Sequence, residues 1–403
     1  MANNKQKIMV PELRFKGFHD DWVQRKLSNL AKFGKGTGFS KSDLTEAGSP
    51  IILYGSMYTN YRTVIDRATT YVDPESEGLE STGGEVIVPA SGETALDISR
   101  ASVVTRSGIL LGGDLNVIYP DKNVDPEFLA LTVSNGRQKA EMVKRAQGGS
   151  IVHLHNGDLK QITLTYPSLT EQRKISGLVS CCDSILTLQQ EKLDLLKQLK
   201  RGYLQKLFPV GSAKQPELRF ADFDGDWVQH KLGDVADFIN GRAYKQDELL
   251  DSGKYPVLRV GNFNTNDQWY YSDLELPVKN YADKGDLLYT WATAFGPHIW
   301  QGPRVIYHYH IWKVELSNLI TKDFAVQILQ ADQSQMTNSL NGSTMVHITK
   351  ATMEGKVIAL PSVDEQNCIS RFLTNLDDTI ALQQHKLDAL TQLKQAYLQK
   401  LFV

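Results

Sequence analysis

Two pairs of short stretches concentrate side chains able to meet nucleic acid. The first is Lys35-Gly-Thr-Gly-Phe-Ser-Lys41, offering Lys35, Thr37 and Lys41 among glycines. Glycine permits close backbone approach, and lysines, hydroxyls and amides are the groups that meet phosphate. Its counterpart about 205 positions later is Asn240-Gly-Arg-Ala-Tyr-Lys245, with Arg242, Tyr244 and Lys245. The second pair begins with Tyr54-Gly-Ser-Met-Tyr-Thr-Asn-Tyr-Arg62, which carries Ser56, Tyr58, Asn60 and Arg62. It is answered by Arg259–Asn266 and then Trp269, with Asn262, Asn264 and Trp269 as candidates. Asn and Arg can read base edges, whereas Ser and Tyr more often position the backbone. Each of these residues singly is as well explained by an ordinary turn or a core aromatic, so the loops are candidates as groups.

Other chemistries find no complete motif. Gly34-Lys-Gly-Thr-Gly38 lacks the order of a phosphate-binding P-loop. Ser91-Gly92 is not a nucleophile elbow. His308 and His310 alternate in an expected strand, Tyr307–Trp312, with His298 nearby, but no carboxylate or cysteine cluster accompanies them as metal ligation would need. His153 and His347 stand at equivalent places beside apolar residues and read as hydrogen-bonded structural histidines. Cys181, Cys182 and Cys368 fit a reducing compartment and have neither disulfide-framework nor metal spacing. The expectation is a chain with no catalytic residues and no metal.

The loops sit in a duplicated frame. Pro11–Leu27, PELRFKGFHDDWVQRKL, returns as PELRFADFDGDWVQHKL at Pro216–Leu232, an offset of 205. Glu171–Phe208 returns as Glu365–Phe402, an offset of 194. Similarity of this length establishes internal duplication. The bodies between the borders diverge, although Pro50–Gly55 still resembles Pro256–Gly261. Expected strands are Glu85–Val88, Ala101–Val104, Leu115–Ile118, Asp286–Thr290, Arg304–Tyr307 and His310–Val314, with short helices at Pro126–Leu131 and Lys322–Leu329. One frame with two different surfaces suits two recognition modules for two targets, and plain drift after duplication would also give it.

The second repeated block is a long helix. Glu171–Phe208 contains no proline and is rich in Leu, Lys, Gln and Glu. Its apolar positions Leu178, Ile185, Leu196, Leu199 and Tyr203 follow spacings of three and four, interrupted by Gln189 and Lys192. The second copy offers Phe372, Leu376, Ile380, Leu387, Leu390 and Tyr397. Matching stripes predict that the helices pair with each other, antiparallel, and leave polar flanks for a partner protein. The competing expectation is that each packs on its own domain.

Composition sets the outer bounds. A chain of 403 residues exceeds one ordinary core. A net charge of −2 lacks the basic excess common in nucleic-acid binders, while leaving room for a local patch. No apolar run approaches a membrane span, and Met1–Phe15 lacks the apolar region of a signal peptide. A cytoplasmic protein is expected.

The repeated borders, the Pro167-Ser-Leu-Thr-Glu-Gln172 helix start and the Tyr-Leu-Gln-Lys-Leu-Phe helix ends resemble the specificity subunit of type I restriction-modification enzymes. The second copy departs slightly, with Pro361-Ser-Val-Asp-Glu-Gln366. The resemblance covers essentially the whole chain. It implies an α+β fold, with two similar target recognition domains of mixed or barrel-like sheets, separated by two long helices forming an antiparallel coiled coil. The expected order is recognition domain 1 over 1–165, spacer helix 1 over 166–210, recognition domain 2 over 211–358 and spacer helix 2 over 359–403. It also implies a non-catalytic reader of an asymmetric, bipartite site in double-stranded DNA. Two methyltransferase subunits would modify adenine N6, and endonuclease/translocase subunits would join for cleavage. S-adenosylmethionine, ATP and Mg would belong to those partners, with no cofactor in this chain. A coiled-coil protein scaffold and a stand-alone DNA-binding protein are the alternatives.

Overall fold

The computed structural model describes residues 10–211, 213–263, 266–292, 295–339 and 348–403. It forms two compact units, Met1–Gln190 with Lys386–Val403, and Glu191–His385. Each unit is therefore built from one body, the first part of its own long helix and the last part of the other copy's helix.

The repeated borders meet in space. In the first unit, Val23–Lys26 from the opening motif pairs antiparallel with Thr163–Tyr166, the strand leading into the long helix. In the second unit, Val228–Lys231 pairs in the same way with Val357–Leu360. Trp22 and Trp227 precede these strands, and both are buried. The Trp22 ring meets Phe128 edge-on at 5.9 Å, and Phe128 meets Phe402 at 5.8 Å. Trp227 meets Phe324 at 6.1 Å, and Phe324 meets Phe208 at 5.5 Å. Each core is thus closed by the Leu-Phe end of a long helix: Leu401-Phe402 in the first, Leu207-Phe208 in the second.

The bodies are α+β with mixed sheets, as expected. The first has a five-stranded sheet in the order Ala31–Lys35, Leu115–Pro120, Glu85–Pro89, Ser102–Val104 and Val64–Ile65. Beside it lies a three-stranded sheet of Thr70–Val72, Ser49–Ile52 and Leu110–Leu111. The second body has Ala236–Asn240, Ile311–Leu316, Leu287–Thr290 and Gly296–Ile299 in one sheet. Its other sheet is Tyr270–Ser272, Tyr255–Leu258, Val305–Tyr307 and Tyr281–Ala282. Both helices expected in the bodies are longer than predicted. Asp125 caps Pro126–Asn135 by accepting from the Phe128 amide at 2.9 Å, and Gly136 separates that helix from Arg137–Arg145. No glycine interrupts the second body's helix, which runs Lys322–Ser339.

Of the two expectations for this stretch, the separate strands Arg304–Tyr307 and His310–Val314 are nearly met and the continuous strand Tyr307–Trp312 is not. Val305–Tyr307 and Ile311–Leu316 are separate strands, with His308-Tyr309-His310 as the turn between them. The Ile311 amide donates back to the His308 carbonyl at 2.9 Å, which reverses the chain where alternation suggested continuity.

The long helices run Leu169–Lys206 and Val363–Lys400. Ser168 and Ser362 hydroxyls accept from the amides of Glu171 and Glu365 at 3.4 and 3.3 Å, which serves the first free N–H groups. In the second unit Lys200 pairs with Asp377, and Tyr203 meets Phe372 edge-on at 4.8 Å, so the two segments run antiparallel. In the first unit Lys394 pairs with Asp183, the same ion pair 194 positions displaced. Helix pairing and packing on the home body therefore both occur, within each unit.

Candidate nucleic-acid interface

A shared bracket holds each body. Arg14, from the first opening motif, forks onto Glu171 at 2.7 and 2.9 Å. Arg219 forks onto Glu365 at 2.8 and 2.8 Å. Both carboxylates are buried, and each guanidinium is held above its ordinary pKa, chiefly by that hydrogen bond. The next residue, Gln172, accepts from the Asp125 amide and donates to the carbonyls of Asn123 and Pro167. Gln366 repeats the set with the Thr321 amide and the carbonyls of Leu319 and Pro361. The Glu-Gln pair thus ties the helix start to the opening motif and to the loop before the body helix. These residues were visible as repeats, but their role needed a partner about 150 positions away.

The residues of the candidate loops fall into two groups. Lys35, Lys41, Asn60, Arg62 and Lys245 are solvent-exposed. The others are engaged within the fold. Thr37 Oγ1 accepts from the Leu79 amide at 3.0 Å, and Ser56 Oγ donates to the Leu53 carbonyl at 2.7 Å. Arg242 forks onto Glu248 at 3.0 and 2.7 Å, which lowers the carboxyl and raises the guanidinium. Asn262 accepts from the Arg259 amide and donates to the carbonyls of Asn266 and Gln268, each at 3.0 Å. That amide holds a turn. Tyr58 is half-buried against Tyr54, with its phenol raised by burial, and Tyr244 is raised further by burial. Trp269 packs against Trp300, 6.3 Å between centroids. Asn264 lies outside the described residues.

The glycines of the first loop pair have a different use from the one expected. A Cβ on Gly36 would fall 2.0 Å from the Gly112 carbonyl oxygen, and one on Gly241 would fall 2.3 Å from that of His308. Both glycines let the loop cross the turn that joins the two sheets, so close approach serves the protein's own backbone. Gly38, with nothing within 4 Å of its Cβ position, is the open one.

Among the histidines, His153 is exposed, its ring stacked on His155 at 5.9 Å, contrary to a structural role. His347 lies outside the described residues. His298 stacks on Phe263 at 4.1 Å and is lowered by burial. Burial, then His310 and Arg259, push His308 down to about 4, so its imidazole is neutral at pH 7. Among the described residues no group of three or more His, Cys, Asp or Glu is placed to hold a metal ion.

Along the helices, Leu178, Leu196, Tyr203, Phe372, Leu376, Ile380, Leu387, Leu390 and Tyr397 are partly buried. Ile185 and Leu199 are 39% and 47% exposed, and Leu186 and Leu193 take the inward positions instead. Gln189 is partly buried and Gln383 buried, at equivalent positions of the two helices. No helix among the described residues is long and apolar enough to cross a membrane.

A family model described as the type I restriction modification DNA specificity domain matches residues 19–198 and 224–392. The chain is 21% identical to the type I restriction enzyme MjaVIII specificity subunit of Methanocaldococcus jannaschii, over 95% of this chain and 93% of that protein. In fold it is similar to the S subunit of a type I restriction-modification system from M. genitalium, with a TM-score of 0.60, 17% identity and coverage of 98% and 99%. A chain solved in work on complex assembly and conformational transition of the type I R-M system gives 0.61 at 17% identity, covering 94% and 97%.

Proposed function

This chain belongs to the type I restriction modification DNA specificity family and is a DNA-recognition subunit; we propose that it reads an asymmetric, two-part site in double-stranded DNA, one part with each body. The observation that carries this reading is the contrast between bracket and body. Arg14–Glu171 and Arg219–Glu365, with the paired glutamines, are the same device twice. The loops of the two bodies differ in nearly every exposed side chain, so one repeated frame presents unequal chemistry. Lysines and arginine at the loop surface supply backbone attraction, and asparagine supplies paired donor and acceptor for a base edge.

Catalysis is assigned to partner subunits. Two methyltransferase subunits would bring S-adenosylmethionine and modify adenine N6, and endonuclease/translocase subunits would bring ATP and Mg. Supporting two equivalent partners, each unit exposes the same pair of leucines. These are Leu188 (63%) with Leu393 (45%) in the first, and Leu382 (59%) with Leu199 (47%) in the second. Duplicated, exposed leucines suit an interface core. The reactions place the assembly with the DNA, in the cytoplasm.

Co-expression with the cognate methyltransferase, followed by single-molecule sequencing for N6-methyladenine, tests the reading. A split motif that disappears on deletion of this chain is expected. Replacing residues 216–346 with another body should change one half of that motif only. Complex formation without any chain-dependent motif would leave a protein scaffold as the better description. Tight sequence-specific binding by the chain alone, with no methylation, would favour a stand-alone DNA binder.

A further inference from the structure

The turn joining the two sheets is held alike in both bodies. In the first, Gly112 N–H donates to Ile52, Thr37 N–H to Leu111, Gly36 N–H to Leu115 and Ala90 N–H to Asp114, at 2.7–2.9 Å. In the second, His308 N–H donates to Leu258, Arg242 N–H to Tyr307, Gly241 N–H to Ile311 and Trp291 N–H to His310, at 2.9–3.2 Å. Four equivalent backbone bonds fix a turn of the same length in the same place. Its side chains could hardly differ more: Gly112-Gly113-Asp114 in one body, His308-Tyr309-His310 in the other. Beside it, a buried alanine, Ala90, is answered by Trp291.

The second turn carries a packed aromatic cluster. The Tyr309 ring lies 4.4 Å from His308 and 3.9 Å from His310. Trp291 Nε1 donates to the Tyr309 carbonyl at 2.9 Å, and the Trp291 ring stacks on Trp312 at 5.8 Å, which stacks on Tyr289 at 5.9 Å. Tyr309 itself is 38% exposed, and its amide donates to the Arg242 carbonyl in the first candidate loop. The turn thus adjoins that loop, with Tyr309 at the surface and His308 and His310 half-buried.

We infer that His308-Tyr309-His310 is a base-reading element of the second body, with Tyr309 as its contact residue and His308 beside it, and that the first body carries no aromatic reader at this place. A neutral imidazole can offer its donor or its acceptor to one group of a base edge. A phenol ring backed by other rings presents a flat apolar face and one hydroxyl with few rotamers to lose. This rests on the reading of the chain as a two-part DNA reader.

The test uses the chain co-expressed with its methyltransferase, and reads methylated sites by sequencing. One variant is Tyr309→Ser, an exposed truncation that opens no core. The other replaces 308–310 with Gly-Gly-Asp, the sequence the same frame already holds in the first body. Methylation at sites with one altered base in a single half-motif should rise about 10-fold relative to the correct site, the scale of one lost base contact. The other half and the spacing should stay unchanged. An unchanged motif in Tyr309→Ser, with the complex still co-purifying, overturns the inference and leaves the two-part reading intact. Equal relaxation of both halves also overturns it. Absence of any motif dependent on the unaltered chain would instead remove the reading on which the inference rests.

Discussion

At the scale of single residues, the strongest constraints are buried charges met by a partner distant in sequence. Removing Arg14 leaves the buried Glu171 carboxylate without its fork. Breaking such a pair from one side costs about 3–5 kcal/mol. Arg14→Ala and Arg219→Ala should each lower the denaturant midpoint substantially, and Arg→Lys should recover only part, because an ammonium cannot make both parallel bonds. His308 gives a pH signature. Its folded pKa of about 4 lies below the ordinary histidine value, so the unfolded chain binds more protons between the two. Stability should therefore fall as pH drops from ~6.5 towards 4, following the model-peptide value. Denaturation of the unaltered chain and of His308→Asn across that window checks this: the unaltered chain should lose stability more steeply as pH falls.

Among elements, the loop–turn crossing is decisive. Gly36→Ala and Gly241→Ala would press a methyl against a carbonyl at 2.0 and 2.3 Å. Overpacking of this kind costs ~1–3 kcal/mol, and here the loop bearing Lys35 or Lys245 would be displaced as well. Lower stability together with relaxed DNA selectivity is expected, whereas Gly38→Ala, in open space, should change stability little. Methylation-motif sequencing beside thermal denaturation separates the three variants. Strand and helix existence was legible from alternation and from helix-forming composition. The break at His308–His310 was legible only in part: Arg304–Tyr307 and His310–Val314 read as separate strands, yet alternation suggested continuity through the histidines, because it cannot reveal a backbone bond from Ile311 to His308.

For the whole molecule, each compact unit borrows the end of the other copy's helix. Leu401 and Phe402 are buried in the first unit's core, as Leu207 and Phe208 are in the second's. Deleting Leu401–Val403 should therefore weaken the first unit, not the body nearest in sequence. Burial of two such side chains is worth about 3–6 kcal/mol. Hydrogen exchange should show lost protection in Pro126–Asn135, whose Phe128 meets Phe402, while Lys322–Ser339 keeps its own. Equal loss in both helices would mean the units are not independently supported.

The duplication, the long helices, the α+β character and the positions of the candidate loops were determined by the sequence, because repeats, periodicity and turn residues are local or self-similar signals. The heptad series was legible only approximately: Ile185 and Leu199 satisfy the spacing yet face outward, since a helix offers more than one apolar line and packing selects among them. What the tertiary structure decided was which of these polar groups already have partners within the chain. Thr37, Ser56, Arg242 and Asn262 have the right chemistry for DNA and are hydrogen-bonded within their own fold. Tyr309, absent from the sequence-based candidates, stands exposed on an aromatic support. Hydrogen-bond partners come from segments tens to hundreds of positions away, and only the folded chain brings them within reach.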